Sequence, residues 1–390
     1  MNVLYSFRTR GVGAEAVHIS GVTRALERLG HKVFYHSPCS VRPGANPFSG
    51  GGGRSRFLGF LCRMIPGVGF ELMEIAYNLY SWLRARRCLR RSQFGLIYER
   101  HAFFHFATGL LARKHDIPLV VEVNELAGDS RVRGRVRLTS LARRCDRKLF
   151  ECASLIVVVS PYLKREIIKR YGIPENKIDV QCNAVDEPAS GSSIDCSLEF
   201  LNRLEGASCV FGFVGWFVHW HRLDILMDVF SRLCSERPDM DARLLMVGDG
   251  PLKDELSGAC KKLAISEKVI FAGSVEHACI PRVLSVVDIA VIPHSNEFRS
   301  PVKLFEYMAS ECVVVAPETE PISSVIFHGQ NGLLFRAMDS DHMLDMFIKA
   351  ASDQILRNSL AERAGVDVIE KYTWTHNVRR VLERMGKDAF

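Results

Sequence analysis

The chain has 390 residues, 47% hydrophobic and 24% charged, with a formal net charge of +7. That length exceeds what one hydrophobic core usually fills, so two domains are expected. Its composition excludes a membrane-spanning helix, because no uncharged apolar run reaches roughly 18–20 residues.

No leader-like apolar run precedes Arg8 and Arg10, so a cytoplasmic protein is expected. The twelve cysteines form neither a C-x-x-C pair nor a His/Cys cluster at zinc spacing. Reduced, mostly buried thiols and no metal site follow as expectations. Charge is unevenly split: residues 1–186 carry 30 Lys and Arg against 15 Asp and Glu, and the remainder carries 21 against 29. So basic a first half argues for an anionic partner. No recognised nucleic-acid module accompanies the charge, so nucleic acid is not the expected partner.

A strand over 2–6 runs into a loop containing Gly11 and Gly13, and a helix over 17–30 follows with Val17, Val22, Leu26 and Leu29 on one side. Ala16 leaves the dinucleotide fingerprint G-x-G-x-x-G incomplete, and a plain tight turn is the alternative for this loop. Residues 37–56 are rich in Pro, Gly and Ser. Residues 57–91 then interleave Phe57, Leu58, Phe60, Leu61, Tyr80, Trp82 and Leu83 with Arg63, Arg84, Arg86, Arg87, Arg90 and Arg91. Such mixing suits a helix lying on an anionic bilayer. The plainer alternative is helices packing their apolar sides on a sheet, with solvated arginines.

Strands are expected over 95–101 and 118–123, ending in the polar groups Glu99, Arg100, His101 and Asn124, and over 155–159. A Ser/Gly/Pro/Asp-rich stretch, 187–197, opens the linker. In the second half, strands over 210–216, 242–247, 269–273, 289–292 and 313–316 alternate with helices, which gives an α/β class with parallel sheets. Between the last two of these strands lies Ser-Pro-Val-Lys-Leu-Phe-Glu-Tyr-Met (300–308). Ser300 suits an N-cap and Pro301 the first helical position. Lys303 and Glu306 share a face. A lysine in the first turn, where the helix dipole disfavours a cation, points to an anion bound there. An ordinary surface helix with a Lys–Glu pair is the alternative.

This helix, with Val-Val-Asp-Ile-Ala-Val-Ile-Pro (286–293), Val-Val-Val-Ala-Pro (313–317) and Asn-Gly-Leu-Leu-Phe (331–335), resembles the nucleotide-sugar-binding half of family 4 glycosyltransferases, also called glycosyl transferases group 1. Further stretches resembling that family are the opening strand–Gly loop–helix, Lys177-Ile-Asp-Val-Gln-Cys-Asn-Ala-Val-Asp186, Gly248-Asp-Gly-Pro251, and Tyr372-Thr-Trp374 with Asn377.

The resemblance implies the GT-B fold, two Rossmann-like domains with parallel sheets facing across a cleft. It divides the chain into 1–186, a linker over 187–208, a nucleotide-sugar-binding domain over 209–371 and a closing helix over 372–390. It implies sugar transfer with retention from a UDP- or GDP-linked donor, with no metal and no other cofactor. The donor residues it implies are Gly13, Gly215, Arg222, Gly248, Lys303, Leu304 and Glu306, with Glu306 on the ribose. Asn124 stands where the family often has a histidine near the anomeric carbon, and His101 is a second polar group there. The first glutamate of the family's Glu-x7-Glu motif falls on Phe298, and Glu297 is one place off. Trp216 replaces a usual arginine, and Ser324 stands at a frequent glutamate. Together, His101, Asn124 and Glu297 are the catalytic candidates. A glycan or lipid-linked acceptor and a peripheral position on the inner face of the plasma membrane complete the expectation. Two alternatives stay open: a nucleotide-sugar 2-epimerase of the same fold, and a non-catalytic nucleotide-sugar or membrane-binding scaffold.

Overall fold

A computed structural model describes residues 1–8, 14–37, 67–128, 136–186, 196 and 198–386. Gly13, the apolar–arginine stretch before residue 67, Arg131, Arg133 and Arg135, and the linker residues 187–195 lie outside the described residues. The chain divides into two compact units, one built from 1–182 and 374–390, the other from 183–373.

The first unit carries a parallel sheet in the order β2-β1-β3-β4-β5-β6. Its strands are β1 (Asn2–Ser6), β2 (Lys32–His36), β3 (Leu96–Arg100), β4 (Leu119–Val123), β5 (Leu155–Val158) and β6 (Ile178–Val180). Val3, Leu4, Leu96, Ile97, Val120 and Val121 are fully buried, as strands covered on both faces require. Two glutamates interrupt these buried runs, and each has partners. Glu99 takes bonds from Thr108 and His105, and Glu122 sits in a polar cluster described below.

The second unit has a parallel sheet in the order β12-β11-β10-β7-β8-β9. Here β7 is Cys209–Val214, β8 Ala242–Val247, β9 Val269–Gly273, β10 Ile289–Val291, β11 Val313–Pro317 and β12 Leu333–Phe335. Helix Leu223–Glu236 buries Leu223, Leu226, Met227, Phe230 and Leu233, the spacing of one helical face. Phe211 of β7 meets Phe230 of that helix at 5.8 Å and Phe347 of helix Ser340–Ser352 at 4.7 Å.

The closing helix, Trp374–Arg384, is part of the first unit. Its Arg380 binds Asp179 at 2.6 Å, Asn377 donates to the Cys182 carbonyl at 2.9 Å, and the Trp374 indole fills the space where a Cβ on Gly21 would stand. The described residues of the expected linker join the second unit, whose boundary falls at Asn183. The cysteines are not all reduced, which corrects that expectation. Cys196 and Cys279 form a disulfide, while eight described cysteines are free. No described helix is long and apolar enough to cross a membrane.

Candidate functional site

In open parallel sheets, ligands bind beyond the carboxyl ends of the strands, where the strand order reverses. In the second unit that reversal lies between β7 and β10. Gly215 follows β7, and the segment after β10 leads through Glu297 and Ser300 into helix Val302–Ala309.

The backbone here is unusually close. Gly215 has φ 149° and Gly248, after β8, has φ 137°. A Cβ on Gly248 would overlap the Gly215 carbonyl oxygen, and one on Gly215 would stand 2.5 Å from the Lys303 Nζ. Both positions therefore need glycine, for conformation and for space. Tyr307 anchors the helix, its buried hydroxyl accepting a bond from the Val214 N–H at 2.9 Å.

This anchoring sets Lys303 beside β7. Its Nζ lies 4.0 Å from the Phe213 ring centroid, is buried, and has no hydrogen-bond partner among the described residues. Burial depresses its pKa to about 7, against the opposing pull of Glu306. His221, edge-on to Phe213 at 5.4 Å, is held neutral by burial and by the charge of Lys303, its pKa depressed to about 2. One turn along the helix, Glu306 receives His277 Nε2 at 2.7 Å.

Lys303, Gly215 and Gly248 are thus brought together, with Glu306 one turn away. Other candidates are placed differently. Arg222 adopts the left-handed conformation before helix Leu223–Glu236, and its guanidinium grips Asp224 through Nε at 3.0 Å and Nη2 at 2.8 Å. The Leu304 side chain is fully buried, and its N–H closes a turn on the Pro301 carbonyl at 3.1 Å. Glu297 is exposed on a turn. Ser300 is not the helix cap. Its hydroxyl accepts from the Asn183 N–H at 2.9 Å and its carbonyl accepts from Asn183 Nδ2 at 2.6 Å, so the cap position falls to Pro301. Asn183 belongs to the Asn-Ala-Val-Asp stretch singled out in the sequence. That pairing gives the stretch a role in holding the loop before the helix.

In the first unit, Asn124 donates to Glu122 Oε1 at 2.9 Å. His18 and Arg100 each reach the same oxygen at 2.7 Å, and the Tyr98 hydroxyl reaches Oε2 at 3.2 Å. Burial alone would raise the Glu122 pKa, but His18, Arg100 and Asn124 overcome it and hold it at about 2. His101 is enclosed, its side chain 2% exposed, with Nε2 2.9 Å from Asp146, which also takes the Tyr171 hydroxyl at 2.9 Å. That arrangement ties His101 through its Nε2 into a buried hydrogen-bond network.

His277 and Tyr307 were not singled out in the sequence. Tyr307 adjoins the motif that was read, but only the fold shows its hydroxyl turned to β7. His277 lies 29 residues before Glu306, with no motif linking them.

Comparison with known proteins assigns both units. The model described as Glycosyltransferase Family 4 matches residues 15–187, and that described as Glycosyl transferases group 1 matches residues 208–353. An uncharacterised glycosyltransferase of Methanocaldococcus jannaschii is 26% identical over 99% of both chains. The D-inositol 3-phosphate glycosyltransferase of Corynebacterium aurimucosum is 23% identical over 97% of this chain and 91% of its own. Among solved structures, Anabaena HepE in complex with UDP superposes with a TM-score of 0.69 at 15% identity, covering 99% of this chain and all of its own. That likeness gives the fold as GT-B. Matched in both units by models of one family, the chain belongs to the family 4, group 1 glycosyltransferases and is an enzyme of that class.

Proposed function

We propose that this enzyme moves a sugar, with retention, from a UDP- or GDP-linked donor to a glycan or lipid-linked acceptor in cell-surface polysaccharide or glycolipid synthesis. The reaction needs no metal in this reading, and it takes place in the cytoplasm at the inner face of the plasma membrane. One observation carries the donor site: the Lys303 ammonium is buried without a hydrogen-bonding partner among the described residues. A buried cation is costly unless it is paired. A diphosphate arriving at the start of helix Val302–Ala309 supplies the pair, and the amides of the first turn supply hydrogen bonds. In so dry a site these groups also stabilise the charge that builds on the departing nucleoside diphosphate.

Glu306, one turn deeper, takes the ribose hydroxyls in exchange for His277. Gly215 and Gly248 keep the adjoining backbone close enough for the ligand to reach Lys303. The relatives support a nucleotide sugar: HepE is solved with UDP and with UDP-glucose. Asn124, held by Glu122, is the first unit's candidate for contact with the transferred sugar. Arg222 and Leu304 act only indirectly in this reading, and His101 holds its own unit together.

The test is donor binding and slow donor hydrolysis across a panel of UDP- and GDP-sugars, with Lys303→Ala and Glu306→Ala alongside. Saturable binding of one donor that both substitutions abolish supports the site. Equal binding by the variants overturns it. Turnover that yields an epimer without any acceptor assigns the chain to the epimerases instead.

A further inference from the structure

Helix Gly67–Leu89 is turned inside out. Its buried positions are Glu71, Glu74, Ser81 and Ala85. Its outward positions include Val68, Leu72, Met73, Leu79, Tyr80 and Leu83, of which Leu79 is 67% exposed and Leu72 56%. An amphipathic helix on a globular protein shows the reverse.

The polar inner face fixes this orientation. Glu71 accepts from the Arg137 and Leu138 N–H groups at 2.7 and 2.8 Å. Glu74 takes Arg8 at 2.7 Å. Asn78 donates to the Phe104 carbonyl at 2.7 Å and accepts from the Phe106 N–H at 2.9 Å. Ser81 stands between His36 at 2.9 Å and His105 at 2.8 Å. Rolling the helix to bury its leucines would strand all these groups, so the apolar face stays outward.

At about 100° per residue, Val68, Leu72, Leu79 and Leu83 fall within one narrow sector, and the same sector continues into Arg86 and Arg90. Arg87, Arg90 and Arg91 are exposed beside it. An apolar stripe that runs into arginines matches a surface that is apolar a few ångströms down and negative at its rim. A protein partner of acidic character would meet the arginines but would leave no reason for four aliphatic side chains on the same line.

We propose that this outward face docks on an anionic lipid bilayer, with the leucines reaching the acyl boundary and the arginines lying among the headgroups. The proposal rests on the reading of the chain as a membrane-surface transferase, and it names the surface. It accounts for why an exposed helix keeps side chains that would lower solubility, and why the basic charge gathers in this unit.

The test is sedimentation of the full chain with phosphatidylcholine vesicles, with and without phosphatidylglycerol. Two variants are compared, L72Q/L79Q/L83Q and R87Q/R90Q/R91Q. The wild type is expected to sediment with the anionic vesicles. The leucine variant is expected to lose at least tenfold in partitioning at any salt concentration. The arginine variant is expected to lose roughly fivefold per charge on anionic vesicles and to match the wild type on neutral ones. These side chains are exposed, so both variants keep the melting temperature. Both also keep donor binding, because neither touches Asn124 and the groups proposed for the diphosphate and ribose, Lys303 and Glu306, lie in the other unit, so failure of the docking surface is distinguishable from failure of the donor site. The proposal is overturned if the wild type stays in the supernatant, or if the leucine variant sediments like it. It is also overturned if the substitutions turn a lipid-free dimer into a monomer, because the covering surface is then a second copy of this chain.

Discussion

Both sheets are parallel, and in each the strand order reverses beside the first strand, with one strand beyond the reversal in the first unit and two in the second. Their buried polar groups have opposite character. Toward the ends of β3 and β4, Glu122 is surrounded by His18, Arg100, Asn124 and Tyr98. Near the end of β7, the Lys303 ammonium lies over the face of Phe213 and has no hydrogen-bond partner among the described residues. A satisfied network holds a fold together, and an unsatisfied charge waits for something the chain does not supply. The same distinction separates His101, closed onto Asp146, from Lys303.

Substitutions that empty the first network or remove the second charge should therefore move stability in opposite directions. Glu122→Ala leaves His18 and Arg100 buried without their carboxylate. It should destabilise the first unit by about 3–5 kcal/mol, read by urea denaturation. Lys303→Met removes a buried charge with no hydrogen-bond partner among the described residues. It should stabilise the ligand-free protein by about 1–4 kcal/mol at neutral pH and abolish donor binding. The pH dependence has a defined sign. The folded pKa of about 7 lies below the ordinary 10.5, so between those values the unfolded chain binds more protons and stability rises with pH. Across that window the wild type should gain on Lys303→Met, and below it the gap should be constant.

Smaller effects sharpen the contrast. Gly248→Ala meets both a positive φ and the Gly215 carbonyl, and should cost about 1–3 kcal/mol of stability while weakening donor binding. Glu306→Gln keeps the shape but loses the charge, and should weaken donor binding roughly tenfold with little change in stability. Arg222→Ala should be nearly silent, within about 0.5 kcal/mol, since its guanidinium already serves exposed Asp224. A large loss of donor affinity in Arg222→Ala would show that ligand binding redirects this side chain.

Most strands and the helix carrying Lys303 were readable from the sequence, and the reason is local chemistry. Buried parallel strands announce themselves as apolar runs, so β7, β8, β9 and β11 appeared close to their observed limits. Lys303 and Glu306 were readable because a cation in a first helical turn is locally out of place. What failed depended on distant partners. Ser300 looks like a cap until Asn183, 117 residues away, takes its hydroxyl. Helix Gly67–Leu89 offered two readings, bilayer contact or packing on the sheet. Its orientation was hidden because glutamates at its inner face obey no amphipathic rule. Its partners Arg137 and Leu138 lie 66 and 67 residues from Glu71.

The central claim is that Lys303 is a cation kept for a diphosphate. Isothermal titration tests it most directly, with the cognate UDP- or GDP-sugar added at neutral and alkaline pH in buffers of different ionisation enthalpy. An arriving diphosphate raises the Lys303 pKa from about 7. The wild type should then take up a proton on binding, its affinity should fall as pH rises above that value, and Lys303→Met should give no binding signal. Binding without proton uptake, at an affinity that Lys303→Met retains, would contradict the account.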